Sequence, residues 1–231
     1  MLSVIIPTHN EENRITRTLR QLVNWLASQK FSYEIIVVDD SSDSTPKIIS
    51  KERKKNKRIK LLHFTKRRGK GFALTAGFRK ASGEISVMYD ADGSTPPSEI
   101  KKLFYALKHA DVAVGSRKAR GADAEQPHLR RQLSSLAFNL LVNALFSLGI
   151  KDTQCGFKAF KKSVYKKLAS EIQSTGFEWD VEALAMAKKL GFKLCEVGVY
   201  WRHQKGGSIR GFPLKTGLEM LSGLARIKKS L

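Results

Sequence analysis

The sequence predicts an α/β protein: a mostly parallel sheet with helices on both faces. Three observations carry that reading. Short apolar β-branched runs recur through the first half; amphipathic helical patterns separate most of them; and the residue after each run turns abruptly polar or acidic. With 231 residues, the chain is long enough to bury a substantial core.

The strand candidates are residues 3–6, 34–38, 59–63, 85–89 and 112–114. Between them lie helical patterns at 14–27, where Ile15, Leu19, Leu22, Val23 and Leu26 share a face, and at 46–57, 72–81 and 97–109, the last entered through Pro96 and Pro97. Residues 133–150 carry no charge and read as one helix with the stripe Leu133, Leu136, Ala137, Leu140, Leu141, Ala144, Leu145 and Leu148. Phe138, Val142 and Phe146 widen it, and Ser135, Asn139, Asn143 and Ser147 form a narrow polar strip. Such a helix is either buried or set against lipid. Residues 179–190 read as a helix, 194–201 as a strand and 214–229 as a basic amphipathic helix. No repeat or linker divides the chain, so residues 1–231 read as one domain.

In parallel sheets ligands bind beyond the carboxyl ends of the strands. Those ends carry Pro7-Thr8-His9-Asn10-Glu11, Asp39-Asp40-Ser41-Ser42, Asp90-Ala91-Asp92-Gly93 and Gly115-Ser116-Arg117. Asp90 and Asp92, two residues apart after an apolar strand, suit a hard divalent cation that bridges a diphosphate; the alternative is a solvated acidic turn. Asp39 and Asp40 suit hydrogen bonds to a base or ribose, or a helix cap. Arg67-Arg68-Gly69-Lys70-Gly71 is either a basic phosphate cradle or a solvated turn, and matches neither a Walker loop nor GxGxxG.

Lys and Arg number 42 against 21 Asp and Glu, a net charge of +21 that favours an anionic partner. Nucleic acid is the weakest choice, because the basic residues are not interleaved with aromatics. Two cysteines make no disulfide framework; no HExxH or GxSxG occurs. No apolar run reaches 18 residues and Met1-Leu2-Ser3 lacks a basic leader, so the expectation is a chain on the cytoplasmic side.

PTHNE (7–11), EIIVVDDSSDST (34–45), RGKGFALTAGF (68–78), DADGSTPP (90–97) and GSR (115–117) together resemble the inverting GT-A glycosyltransferases. DTQCGFKAF (152–160) and FEWDVEAL (177–184) are similar to one branch, the polyprenyl-phosphate sugar synthases, and within it to the dolichyl-phosphate β-glucosyltransferases. The resemblance implies a GT-A fold and transfer of a hexose, glucose from UDP-glucose, to dolichyl or another polyprenyl phosphate with inversion. GDP-mannose as donor, or a soluble glycan as acceptor, are its alternatives. It implies Mg²⁺ or Mn²⁺ as cofactor. Nucleotide contacts fall on Pro7, His9, Glu11, Val38, Asp40, Lys70, Asp90, Ala91 and Asp92, and metal ligation on Asp92 and Ser94. Arg117, Arg131 and Ser135 match the grip on the acceptor phosphate, and Arg202 a cation near the donor phosphates. Asp90, Asp92, Arg117 and Arg202 are thus the catalytic candidates. A lysine usual in the late loop is replaced by Ile209, with Lys205 or Arg210 as substitutes. Asp180 and Glu182 either orient sugar hydroxyls or are structural. Finally, the resemblance implies a peripheral protein on the cytoplasmic membrane face, docked through interface helices at 129–150 and 212–231.

Overall fold

A computed structural model describes residues 1–125, 129–204 and 214–231, and at 129–131, 214–216 and 218 it describes the backbone alone. Lys205, Ile209 and Arg210 lie outside the described residues, and so does the side chain of Arg131. The chain runs β1 (Leu2–Thr8), α1 (Ile15–Ala27), β2 (Tyr33–Asp39), α2 (Thr45–Lys55), β3 (Ile59–His63), α3 (Lys70–Lys80), β4 (Ile85–Met88), a 3₁₀ turn (Pro97–Glu99), α4 (Ile100–Ala106) and β5 (Val112–Ser116). It continues with β6 (Asp123–Ala124), α5 (Leu129–Phe146), β7 (Lys158–Lys161), α6 (Lys162–Glu171), α7 (Trp179–Lys189), β8 (Leu194–Gly198), β9 (Tyr200–Trp201) and α8 (Leu214–Ser230).

Seven strands form one sheet in the order β3-β2-β1-β4-β7-β5-β8, all parallel to their neighbours except β7. Side chains alternate across it, as the period-2 geometry of a strand requires. Ile5, Ile36, Val38 and Phe160 join the core layer beneath α3, α6 and α7. Val4, Ile6, Ile35, Val37 and Ala159 join the opposite layer beneath α1 and α4. The strand order reverses between β1 and β4, and at such a switch point the flanking loops part and leave a crevice.

The expected strands and helices of the first half are present within a few residues of their predicted bounds. Residues 97–109 are not one helix: the 3₁₀ turn precedes a short α4. Strand 194–201 is also interrupted. The Tyr200 N–H donates to Glu99 Oε2 at 2.9 Å, and the chain leaves the large sheet so that β9 pairs with β6.

Three elements were not expected: β6, β7 and α6. β7 matters most. It runs antiparallel between β4 and β5, with Lys158 opposite both Met88 and Val114. Its amino end therefore lies at their carboxyl ends, which delivers residues 152–157 to the rim of the crevice.

Helix α5 packs Phe138, Val142, Leu145 and Phe146 on the core and keeps a second apolar side outside. Its asparagines face inward: Asn139 Nδ2 donates to the carbonyls of Ile150 (3.1 Å) and Lys151 (2.7 Å), and Asn143 Oδ1 accepts from Gly149 N at 2.9 Å. Val142 is buried, yet Leu133, Leu136 and Leu140 are 57%, 52% and 63% exposed. The apolar stripe of α8 differs: Met220, Leu224 and Ile227 are buried against the body, so that helix spends its main apolar face on the core. No described helix is long and apolar enough to cross a membrane.

Candidate active site

The crevice is built from strand ends. At the end of β1, His9 Nδ1 sits 2.9 Å from Asp40 Oδ1, which joins the β1 and β2 ends. Asp40 Oδ2 accepts from the backbone N–H groups of Arg68 (2.7 Å) and Gly69 (2.9 Å), so the basic glycine loop is anchored on that carboxylate. Burial pushes the Asp40 carboxyl up, but the Arg68 and Gly69 donors and His9 outweigh it and hold it below the usual range. Asp39 is internal instead: it accepts from Thr8 Oγ1 at 2.9 Å and lies 2.7 Å from His63 Nδ1. Neither acid caps α2, the alternative their position offered: Asp39 braces the strands and Asp40 shapes the crevice.

Gly69 permits the loop its turn. It has φ +92°, and a Cβ there would meet Thr175 O at 2.5 Å. The next residue, Lys70, opens α3 and aims its ammonium inward, 3.7 Å from Asp90 Oδ1 and 3.4 Å from Asp180 Oδ2. Burial lowers the Lys70 pKa, but Asp180 and Asp90 more than reverse this and keep it charged. Asp180 is held from the other side by Lys158, whose Nζ lies 2.6 Å from Asp180 Oδ1 and is fully buried. Glu182 accepts from the backbone N–H of Gln173 (3.1 Å) and Ser174 (2.8 Å). Both acids of α7 are thus engaged in internal contacts.

Asp90 stands at the centre of the rim, packed on Gly156, where any Cβ would overlap both its carboxylate oxygens. Burial pushes its carboxyl up; Lys70 opposes this, while Asp92 and Asp180 add to it. Glu11, buried and paired with Arg14 at 2.6 Å, is also pushed up, first by burial and then against Arg14 by the charges of Asp92 and Asp90. Acids from the β1 and β4 ends therefore share one field, and a cation would relieve it.

The donors fit a divalent ion of the Mg²⁺ or Mn²⁺ kind. They are hard oxygens, and Ser94 Oγ is buried without a hydrogen-bond partner while Ser94 N donates to Asp92 Oδ1 at 2.9 Å. No group of three His, Cys, Asp or Glu among the described residues forms a closed metal cage. An ion held by one or two carboxylates and completed by substrate phosphates needs none.

Other predicted residues fall differently. Val38 and Ala91 are buried in the two core layers, and the Ala91 carbonyl accepts from Thr18 Oγ1 at 2.8 Å, so neither side chain lines the crevice. Pro7 is half-buried in β1. Arg117 is bound to Asp152 in a bidentate pair, Nε to Oδ2 and Nη2 to Oδ1, both 2.8 Å. Ser135 accepts from Lys118 Nζ at 2.9 Å. Arg202 comes to the site by its backbone, its N–H donating to Ser94 O at 3.0 Å. Its guanidinium turns away to Asp123 Oδ1 at 2.7 Å and stacks on Tyr200. Asp152, Gly156 and Lys158 were missed as site residues; the alternation of Phe157 and Ala159 against Lys158 and Phe160 was the signal for β7, and a lysine in a core register hid it.

Comparison with known proteins agrees with this architecture. Residues 3–169 match the family described as Glycosyl transferase family 2. A dolichyl-phosphate beta-glucosyltransferase of Dictyostelium discoideum is 32% identical over 243 residues, spanning 98% of this chain and 73% of that protein. The Homo sapiens protein of the same name is 32% identical over 227 residues, spanning 91% of this chain and 70% of its own. Among solved structures, glucosyl-3-phosphoglycerate synthase from Mycobacterium tuberculosis, in complex with Mn²⁺, UDP-glucose and phosphoglyceric acid, superposes with a TM-score of 0.74 at 20% identity, covering 99% of this chain and 80% of that one. The fold is therefore that of the GT-A glycosyltransferases.

Proposed function

Because the chain belongs to glycosyl transferase family 2, we propose that it moves glucose from UDP-glucose to dolichyl or a related polyprenyl phosphate, giving the β-linked product with inversion. The observation that carries the reading is near-full-length similarity to two proteins named for that reaction, joined to an acidic crevice at the switch point of the sheet.

In this reading His9 and Asp40 meet the base and ribose, and Asp92 with Ser94 holds a Mg²⁺ or Mn²⁺ ion. Bound there, that ion supplies charge neutralisation for the departing nucleoside diphosphate. Lys70, fixed between Asp90 and Asp180, adds a second positive charge near the same leaving group. The acceptor is a phosphate oxygen, anionic at neutral pH, so the chain must position it and not deprotonate it. This agrees with the engagement of Asp180 and Glu182, which leaves neither acid of α7 disposed as a base for a sugar hydroxyl.

A lipid acceptor is supported over a soluble glycan by the outward leucines of α5. An exposed apolar face of that size beside a basic surface fits peripheral binding to an anionic membrane, on its cytoplasmic side in this reading. The test is incubation with UDP-[¹⁴C]glucose, Mn²⁺ and a short polyprenyl phosphate, followed by organic extraction. Acid-labile label should enter the organic phase only when the lipid phosphate is present. Label that stays aqueous, on a soluble glycan, would overturn the acceptor.

A further inference from the structure

Lys158 is a fully buried ammonium that no step of the proposed transfer uses. In register it lies opposite Met88 and Val114, and both of these belong to the apolar layer beneath α3, α6 and α7. A charge placed there costs desolvation unless a partner offsets it. It has two partners: Nζ lies 2.6 Å from Asp180 Oδ1 and also donates to the Cys155 carbonyl.

Asp180 in turn faces a second ammonium. Its other oxygen, Oδ2, is 3.4 Å from Lys70 Nζ, which is itself 3.7 Å from Asp90 Oδ1. Four charges of alternating sign therefore run outward from the core: Lys158, Asp180, Lys70 and Asp90, with side chains 0%, 2%, 19% and 39% exposed. Only the outer two can be reached from the crevice. Asp180 is thus bound closely from the core side and more loosely from the crevice side. A buried carboxylate with a single ammonium in reach would draw that ammonium into direct contact. With Lys158 already at 2.6 Å, Lys70 stays between two carboxylates and in close contact with neither. An ammonium so placed keeps donors for a third anion, and the anion that enters this crevice is the donor's diphosphate.

We propose that Lys158 is a positioning residue: by neutralising Asp180 from within the core, it leaves Lys70 free to take the donor's diphosphate. The inference rests on the place given to Lys70 above, and it is independent of which acceptor receives the sugar.

Calorimetric titration with UDP in the presence of Mn²⁺ tests it, because UDP carries the diphosphate and no acceptor is needed. Lys158→Gln removes the charge and keeps a donor for the Cys155 carbonyl. It should weaken UDP binding about tenfold, the scale of one charge-assisted contact, because Lys70 then turns to Asp180. Asp180→Asn removes the competing anion and should tighten UDP binding about threefold. In a Lys70→Met background, Asp180→Asn should change the affinity by less than about twofold, since the coupling runs through Lys70. An ion pair that only braces the fold predicts shifts of one sign from either substitution. A general field effect predicts that the Asp180→Asn shift survives Lys70→Met. Either of those results, or an unchanged affinity in Lys158→Gln, would overturn the assignment. Where Lys158→Gln does not fold, the Asp180→Asn comparison with and without Lys70 still decides it. If the unsubstituted protein binds no UDP in the presence of Mn²⁺, the donor reading fails first and this one with it.

Discussion

Glu34 and Asp90 mark the two ends of the sheet, and their surroundings differ in kind. Glu34 lies at the amino end of β2, away from the crevice, and accepts from Ser3 Oγ (2.6 Å), Ser82 N and Ser82 Oγ (both 2.8 Å) and Lys60 Nζ (2.6 Å). Burial raises its pKa, but Lys60 and the serine donors outweigh burial and bring it down from 4.5 to about 2. A carboxyl depressed on folding contributes stability that is complete above its unfolded pKa and is lost as the pH falls through the folded value. Glu34→Gln should therefore cost about 2–3 kcal/mol at pH 7, with the difference from the unsubstituted protein closing between about pH 5 and pH 2. Urea unfolding across that range checks it, and a gap that persists at pH 2 would mean the loss is steric. Asp90, in contrast, is held by shape and by Lys70. Gly156 lets its carboxylate lie flat against the backbone. Gly156→Ala should leave the circular dichroism spectrum intact and reduce transfer about 100-fold, because a displacement near 1 Å suffices at a site that works by positioning. Activity within threefold of normal would show that Asp90 has room to move.

At the scale of elements, the central parallel strands β1, β2, β4 and β5 were legible in the sequence because each is an apolar run buried on both faces, and the acidic turns after them marked the crevice. The strand β7 was not, because its core-facing position is Lys158, and only the partner Asp180, 22 residues away, makes a buried lysine tolerable there. The pairings of Arg117 and Arg202 were equally invisible, since Asp152 and Asp123 are brought to them by loops. Helix α5 was legible in period and ambiguous in direction. The structure resolves this: Phe138, Val142 and Leu145 pack on the core while Asn139 and Asn143 satisfy the 149–153 loop, which leaves Leu133, Leu136 and Leu140 facing out. Leu136→Ser with Leu140→Ser should accordingly leave the thermal midpoint within a degree or two, because both side chains are already exposed. The same pair should weaken flotation with anionic liposomes tenfold or more, given roughly 1.5–3 kcal/mol for each leucine that enters the acyl region. Val142→Ser is the contrast: it is fully buried and should destabilise the fold. Normal flotation by the double variant would remove α5 from the membrane contact.

Over the whole molecule, function is distributed by the sheet. The order reversal between β1 and β4 opens the donor crevice, the antiparallel β7 brings Asp152 and Gly156 to its far rim, and α5 extends that rim into an apolar face. The chain carries a surplus of +21 charges, which suits the nucleoside diphosphate and phosphorylated lipid proposed as its substrates. Donor choice is the property this arrangement leaves to the pocket of His9 and Asp40. A carboxylate accepts equally from the imide N–H of uracil and from N1–H of guanine, so Asp40 does not discriminate by hydrogen bonding alone. Its other partners do, because Asp40 is already committed to Arg68, Gly69 and His9. To accept the second donor group of guanine it would have to release one of these and unseat the loop that carries Lys70. UDP-glucose is thus expected to exceed GDP-mannose by at least tenfold in kcat/KM, with UDP-N-acetylglucosamine between them or below. EDTA should abolish turnover with every donor, and Mn²⁺ or Mg²⁺ should restore it, because the charges of Asp90 and Asp92 would repel a diphosphate seated at this rim without a cation between them. Side-by-side assays with the three donors and one polyprenyl phosphate decide the matter. Preference for GDP-mannose would show that the loop yields, and would move the chain from the glucosyl to the mannosyl reaction without altering the crevice that performs it.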